Sequence, residues 1–195
     1  MQVQDQKDKA MCSLKTASAM VKSKERIRDV GEVFTPTVVV EKMLNLFPDD
    51  AWGTDKNWLE PTCGNGQFVV AILKRKIAKG FNLYYALATT YGLDIMEDNV
   101  RECRQRIYRE VVMPYIKGHK VQRLNAICWV RNNFVRTEDT LKEDLNNKFV
   151  PFNKLPRAEY DAKRSEIQAV LDMIDNGEKL DMNNELQREL SVFIP

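Results

Sequence analysis

The sequence predicts an α/β protein built on a parallel sheet, and three observations predict it. Short runs at Asn57–Glu60, Tyr91–Ile95 and Val121–Leu124 have the length and residue types of strands. Helical runs separate them, with apolar residues recurring at the spacing of one helix face. A turn carrying two glycines, Cys63-Gly64-Asn65-Gly66, joins the first strand to its helix. Strands and helices alternating in this way favour a parallel sheet with crossover helices.

The elements follow in order. Residues Met1–Asp29 are polar and lysine-bearing, and are expected to be partly helical. Thr35 followed by Pro36 marks a helix start, with Thr as N-cap and Pro at the first helical position. Val39, Met43, Leu46 and Phe47 form one face of that helix, and Pro48 closes it. The first strand ends at Glu60-Pro61, and a helix over Gln67–Lys79 turns Phe68, Ile72 and Leu73 inward. The second strand ends at Asp94, and a long helix over Glu97–Met113 sets Val100, Ile107 and Val111 opposite its arginines. Val121–Leu124 makes the third strand, ending at Asn125-Ala126. Ala126–Val130 and Lys148–Phe152 are the remaining strand-like runs. Ala158–Ile174 and Leu180–Phe193 then form a helical hairpin around Asn176-Gly177, with Tyr160, Ile167, Val170, Leu171 and Ile174 as a packing stripe.

Bulk properties narrow the class. A chain of 195 residues suits one domain with a proper core, and 44% hydrophobic with 30% charged residues is the balance of a folded protein. No apolar run approaches the roughly 18–20 residues of a membrane span, and Met1–Ala10 is polar where a secretory signal is apolar. The expected location is the cytoplasm, without membrane contact. Cys12, Cys63, Cys103 and Cys128 lie far apart with only His119 to assist, so neither a disulfide framework nor a metal site is expected. The net charge of +2 is unevenly spread: Arg101–Arg136 holds nine Lys/Arg against two acids, and Thr137–Pro195 eight against thirteen. The basic span is the candidate surface for DNA, with a solvated helix face as the plainer alternative.

The candidate chemistry falls at the carboxyl ends of the strands, where ligands of open α/β sheets bind. Gly64 and Gly66 remove side chains where the chain turns beneath a ligand, and the next helix offers its free N–H groups. Asp94 stands at the end of the next strand, where an ionised carboxylate accepts two ribose hydroxyls. Ile95 would pack on an adenine ring, and Asn125 would meet that ring's polar edge. The segment Gly31-Glu32-Val33-Phe34-Thr35-Pro36 resembles the G-E-[FY]-[FY]-T-P opening of the methylation subunits of type I restriction-modification systems and related adenine-N6 DNA methyltransferases. Glu60-Pro61-Thr62-Cys63-Gly64-Asn65-Gly66-Gln67-Phe68 is similar to their E/D-P-x-C-G-x-G-x-F loop. Asp94-Ile95 matches their acid and apolar pair, and Asn125-Ala126 resembles the D/N-A after the third strand. Each segment alone has a structural explanation, and their ordered co-occurrence over Gly31–Ala126 carries the resemblance.

The resemblance implies a Rossmann-like fold that binds S-adenosylmethionine (SAM). Thr35 and Pro36 would touch the methionine end of SAM, Glu60 its amino group or nearby water, and Asp94 its ribose. Pro61, Cys63, Gly64, Gly66 and Phe68 complete the implied cofactor site. Residues 31–156 would form this domain, with residues 1–30 and 157–195 as helical additions, the hairpin packing on the domain or on a partner. The family's D/N-P-P-Y/F/W motif, which holds the target amine and stacks on a flipped base, has no counterpart. Asn153, in Asn153-Lys154-Leu155-Pro156, is the nearest candidate. The sheet is also shorter than the family's seven strands, leaving the first strand's edge to be covered by Ala126–Pro195, a second copy or another polypeptide. The expected function is DNA adenine-N6 methylation, alone or as the cofactor-binding part of a larger enzyme. The alternative is a SAM-binding or protein-interaction subunit that transfers nothing.

Overall fold

Three short parallel strands organise the chain in a computed structural model that describes residues 22–30, 32–117 and 119–194. They are β1 (Trp58–Glu60), β2 (Thr90–Asp94) and β3 (Phe134–Arg136), in the order β1-β2-β3. Leu59 lies beside Tyr91, and Leu93 beside Val135. The rest is mostly helical: α1 (Lys24–Val30), α2 (Thr37–Leu44), α3 (Gln67–Ala78), α4 (Leu83–Ala88), α5 (Glu97–Ile107), α6 (Met113–Ile116), α7 (Lys120–Asn133), α8 (Leu145–Lys148), α9 (Arg157–Asp175) and α10 (Glu185–Leu190). Gly31 and residues 1–21, Cys12 among them, lie outside the described residues. No helix among the described residues is long and apolar enough to cross a membrane.

Local chemistry sets most boundaries. Asn82 and Asn184 accept the Tyr85 and Gln187 N–H groups at the starts of α4 and α10. The N-cap of α2 is Pro36, one residue beyond the expected Thr35. At the end of α9, Gly177 adopts φ 70° while Glu178 N–H reaches the Met173 carbonyl and Gly177 N–H the Ile174 carbonyl, the Schellman closure. Between α5 and α6 the helix widens into a π turn at Tyr108–Val112, and Lys117 ends it with φ 46°.

The expected third strand is a helix. Val121–Leu124 and Ala126–Val130 both belong to α7, which buries Leu124, Ile127 and Cys128 and leaves Val121 exposed. Four residues are too few to separate a period of 2 from one of 3.6, and the continuation to Val130 decides for the helix. The true third strand, Phe134–Arg136, is only three residues long and follows two asparagines, so it carries little strand signal. Lys148–Phe152 forms no strand: it leaves α8 and enters a 3-10 turn at Phe152–Lys154. The second C-terminal helix is shorter than expected, since Leu180–Asn184 is not helical and Ser191–Phe193 is a 3-10 turn.

The main core lies between the sheet and helices α3 to α7, with α9 and α10 closing it from the β3 side. Ile167, Val170, Leu171 and Ile174 are buried along α9 as expected, with Tyr160 half-buried against the Phe152 ring at 4.7 Å. A smaller core joins Val40 and Leu44 of α2 to Ala71 and Ile72 of α3 around Trp52. The C-terminal helices therefore pack away from β1, an edge strand whose Leu59 stays exposed, and Met43, Leu46 and Phe47 of α2 and its C-terminal turn are exposed as well.

One buried carboxylate clamps the back of the molecule. Glu189 of α10 is fully buried and accepts hydrogen bonds from Arg104 at 3.0 Å, Arg131 at 2.5 Å and the Tyr108 hydroxyl at 2.7 Å. Arg104 also donates to the Phe134 carbonyl at 2.7 Å, carrying the clamp into β3. Burial, and then the Glu189 charge, push the Tyr108 pKa well above the ordinary phenol value, so it stays a donor. Arg104, expected on a solvated helix face, is thus an interior residue. Removing one partner of a buried ionic network costs about 3–5 kcal/mol. Glu189→Ala is expected to lower the unfolding free energy by about 3 kcal/mol or more, measured by urea denaturation.

Candidate functional site

A cleft of about 320 Å³ opens at the carboxyl ends of β1 and β2. Three separate segments line it: Glu32–Thr35 ahead of α2, the β1–α3 loop from Thr62 to Phe68, and Asp94–Asn99 at the start of α5. Thr140 adds a fourth wall from beyond β3 and donates to the Pro61 carbonyl at 2.9 Å.

The loop geometry follows from its glycines. Gly64 and Gly66 have φ values of 50° and 87°, a region that side chains avoid. A Cβ on Gly66 would also lie 2.8 Å from the Cys103 sulfur, so α5 packs directly beneath the loop. Cys63 sits buried in the same contact, and its hydrogen bond to Cys103 together with burial pushes its thiol pKa up. Cys63, Cys103 and Cys128 are all free thiols.

Asp94 holds the cleft together. Its Oδ2 accepts the Gly64 N–H at 2.8 Å, while Oδ1 accepts the Met96 N–H at 2.8 Å and the Asn99 amide at 3.3 Å. A carboxylate oxygen has two lone-pair sites, so Oδ1 is filled and Oδ2 keeps one. Asp94 can therefore accept one ligand hydroxyl where two were expected. Its charge also occupies the loop N–H that would otherwise attract a phosphate.

Asn99 extends this knot by donating to Glu32 Oε1 at 2.6 Å, and Arg26 of α1 donates to the same oxygen at 2.7 Å. Arg26 also binds Asp98, which is shared with Lys22, and Lys22 pairs with Glu102 at 2.9 Å. Among the described residues, Glu32 and Asp94 are the carboxylates that line the cleft, while Asp98 and Glu102 lie outside its lining and pair with Lys22 and Arg26. Two buried acceptor atoms, Glu32 Oε2 and Asn65 Oδ1, have no donor among the described residues. Phe34, Phe68, Ile95 and Met96 supply the apolar lining.

Six of the expected cofactor residues converge here: Thr35, Cys63, Gly64, Phe68, Asp94 and Ile95. Pro36 starts α2, Gly66 lies on Cys103, and Pro61 receives Thr140, so these three shape the walls without lining them. Glu60 turns to Thr62, whose N–H and hydroxyl lie 3.4 Å from its carboxylate, and burial raises its pKa; it is absent from the lining. Asn125 is in α7 rather than at a strand end, and its side chain accepts from Arg164. It lines a different hollow, with Asn153, Trp129 and Tyr160. Neither asparagine reaches the cleft. Sequence reasoning did not single out Glu32, Asn65, Asn99 or Thr140 as site residues. Glu32 and Asn65 sat inside the recognised segments, whereas Asn99 and Thr140 enter only through tertiary contacts.

The Arg101–Arg136 span is largely engaged. Arg104 and Arg131 serve Glu189, Arg106 pairs with Glu110, and Arg123 with Asp175. Arg136 forms no close salt bridge among the described residues, although its charge acts on the Glu97 carboxylate, and its Nε donates to the Ile95 carbonyl at 3.2 Å on the rim of the cleft.

The α1 contact carries a pH dependence. Burial alone would raise the Asp98 pKa, but hydrogen bonds from Arg26 and Lys22 outweigh it and hold the carboxyl at about 2. A depressed carboxylate stabilises the fold above its unfolded pKa of about 3.9, and that stabilisation is lost as pH falls through about 2. Amide exchange in α1 is expected to accelerate between pH 4 and 2 before that of α9, and Asp98→Asn should reproduce the change at pH 7. Comparison with protein-family models, curated proteins and solved structures returned no match.

Proposed function

We propose that the cleft binds SAM and that the chain is the cofactor-binding unit of an adenine-N6 DNA methyltransferase. The observation that carries this reading is the convergence of the Glu32–Thr35, Thr62–Phe68 and Asp94–Asn99 segments on one acceptor-rich cleft. These are the segments that resemble the methyltransferase family. The three strands would then be the first part of its Rossmann-like sheet.

The residues fit the cofactor chemically. SAM has no phosphate, and the loop N–H that would hold one is bonded to Asp94. It bears a sulfonium and an ammonium group, which suit a lining that includes the Glu32 and Asp94 carboxylates and, among the described residues, no Lys or Arg side chain. Ile95 and Phe68 offer apolar surface for the adenine ring, and the free site on Asp94 Oδ2 takes one ribose hydroxyl. When bound, SAM supplies a methyl group activated by its sulfonium. The protein's part is to orient that group and to keep water from it with the Phe34, Phe68 and Met96 side chains.

A second reading is favoured by one observation. No residue of the D/N-P-P-aromatic type stands at the cleft, and Asn153 lies in a separate hollow. The target amine is then held by a second polypeptide, or the chain binds SAM without transferring its methyl group. DNA contact is supported by Arg136, which stands between the cofactor cleft and a second cleft lined by Arg131, Arg136, Lys148 and Lys163 with Glu159.

Titration calorimetry is expected to show one SAM site per chain. Ile95→Ala changes an exposed residue, so it should weaken binding by about fivefold, a loss of about 1 kcal/mol, while leaving the melting temperature in place. Absence of binding at millimolar SAM would end the proposal. Transfer of labelled methyl to unmethylated DNA is expected only when a polypeptide carrying the D/N-P-P-aromatic motif is added; no transfer in that mixture leaves the non-catalytic reading.

A further inference from the structure

Two hollows of opposite character open where α7 packs against α9. The first, of about 240 Å³, is lined by Tyr84, Asn125, Trp129, Phe152, Asn153 and Tyr160, and among the described residues no charged side chain lines it. The second, of about 450 Å³, gathers Arg131, Arg136, Lys148 and Lys163 with Glu159 as its acid. A cavity of about 150 Å³ makes them neighbours: it shares Phe152 with the first and Arg131, Asn132 and Lys163 with the second, and adds Glu166.

The first hollow suits a flat ring that hydrogen-bonds at its edge. Tyr84, Trp129 and Tyr160 are half-buried in its wall, and Phe152 meets Trp129 edge-on at 6.0 Å. Asn125 gives its oxygen to Arg164 at 2.5 Å; a guanidinium only donates, so the amide N–H groups are left for another acceptor. Asn153 is exposed. Aromatic faces beside carboxamides are how unstacked nucleobases are held and read. Arg157 and Arg164 lie over the Tyr160 ring at 5.6 and 5.4 Å, so positive charge reaches this hollow's edge as well. The second hollow suits phosphate. Lys163 pairs with Glu159 and Lys148 with Glu143, through bridges that leave a fifth or more of each side chain in solvent. Such pairs are screened and weak, so a phosphate can displace the carboxylate. Arg131 is committed to Glu189, whereas Arg136 is exposed and only feels the Glu97 charge.

We propose that this face binds a single-stranded nucleic acid, with one base in the Trp129–Asn153 hollow and neighbouring phosphates over Arg136, Lys148 and Lys163. A paired base keeps its faces and edge engaged and could not enter, so a duplex would offer the cleft its phosphates alone. The site shares no lining residue with the cofactor cleft and does not rest on the SAM reading.

Fluorescence anisotropy without SAM tests it, using labelled single strands of about 12 nucleotides as DNA and as RNA, the corresponding duplex, and a labelled poly-glutamate peptide. One of the single strands is expected to bind at least about fivefold more tightly than duplex or peptide, and the ratio of DNA to RNA names the strand the site serves. Lys163→Gln and Arg136→Gln should each weaken binding several-fold and reduce the slope of affinity against salt by about one. Asn153→Ala should weaken single strands about threefold with the salt slope unchanged, and Trp129→Leu about tenfold, with duplex affinity unmoved in both. If Trp129→Leu does not fold, the exposed Asn153→Ala decides. Absence of single-strand binding at low salt, equal affinity for duplex or poly-glutamate, or full single-strand affinity in Asn153→Ala overturns the site and leaves the SAM reading in place.

Discussion

The cleft depends on one carboxylate. Asp94 ends the central strand and draws in the glycine loop through Gly64, the start of α5 through Met96, and the chain ahead of α2 through Asn99 and Glu32. These segments are 30 and more residues apart in sequence. A charged acceptor of backbone N–H groups makes stronger hydrogen bonds than a neutral one. The same charge decides what the cleft can hold. Because Asp94 accepts the Gly64 N–H, that loop donor is already occupied and is not free to cradle a phosphate.

Glu189 plays the corresponding part at the back of the sheet, with a different consequence. It is fully buried and its partners are inside the core, so the C-terminal helix α10 is fastened to α5, the π turn and α7. The bridge between Lys22 and Asp98 beside the cleft is more exposed, with 24% and 35% of the two side chains in solvent. Ionic contacts of that kind are screened and contribute little each. The fold therefore joins a rigid β3 side, anchored by a buried network, to a softer front built of α1 and the cleft rim.

The β1 edge shows the opposite situation, because nothing in the described chain pairs with its outer side. Leu59 of this strand is exposed, and an unpaired edge with an exposed apolar residue favours association. The C-terminal helices do not resolve this, since they pack on α7 and α5 beyond β3.

Much of the cleft was legible in the amino-acid order because its walls are local segments. A turn such as Cys63-Gly64-Asn65-Gly66 requires positive φ at its glycines wherever it occurs, and an acid ending a short apolar run reads as a strand terminus. The glycine loop, Asp94, Ile95, α3 and α9 were accordingly in place from sequence alone. The third strand was not, because Val121–Leu124 is too short for its period to be measured, and the three residues of β3 are made a strand only by pairing with β2. Asn125 followed that error into the wrong site. Glu32 as a wall residue, Asn99 as the link, Arg104 as an interior cation and the turn of Glu60 toward Thr62 were decided by tertiary structure. Each depends on which distant groups meet a charged side chain once water is removed, and residue spacing along the chain carries no record of that.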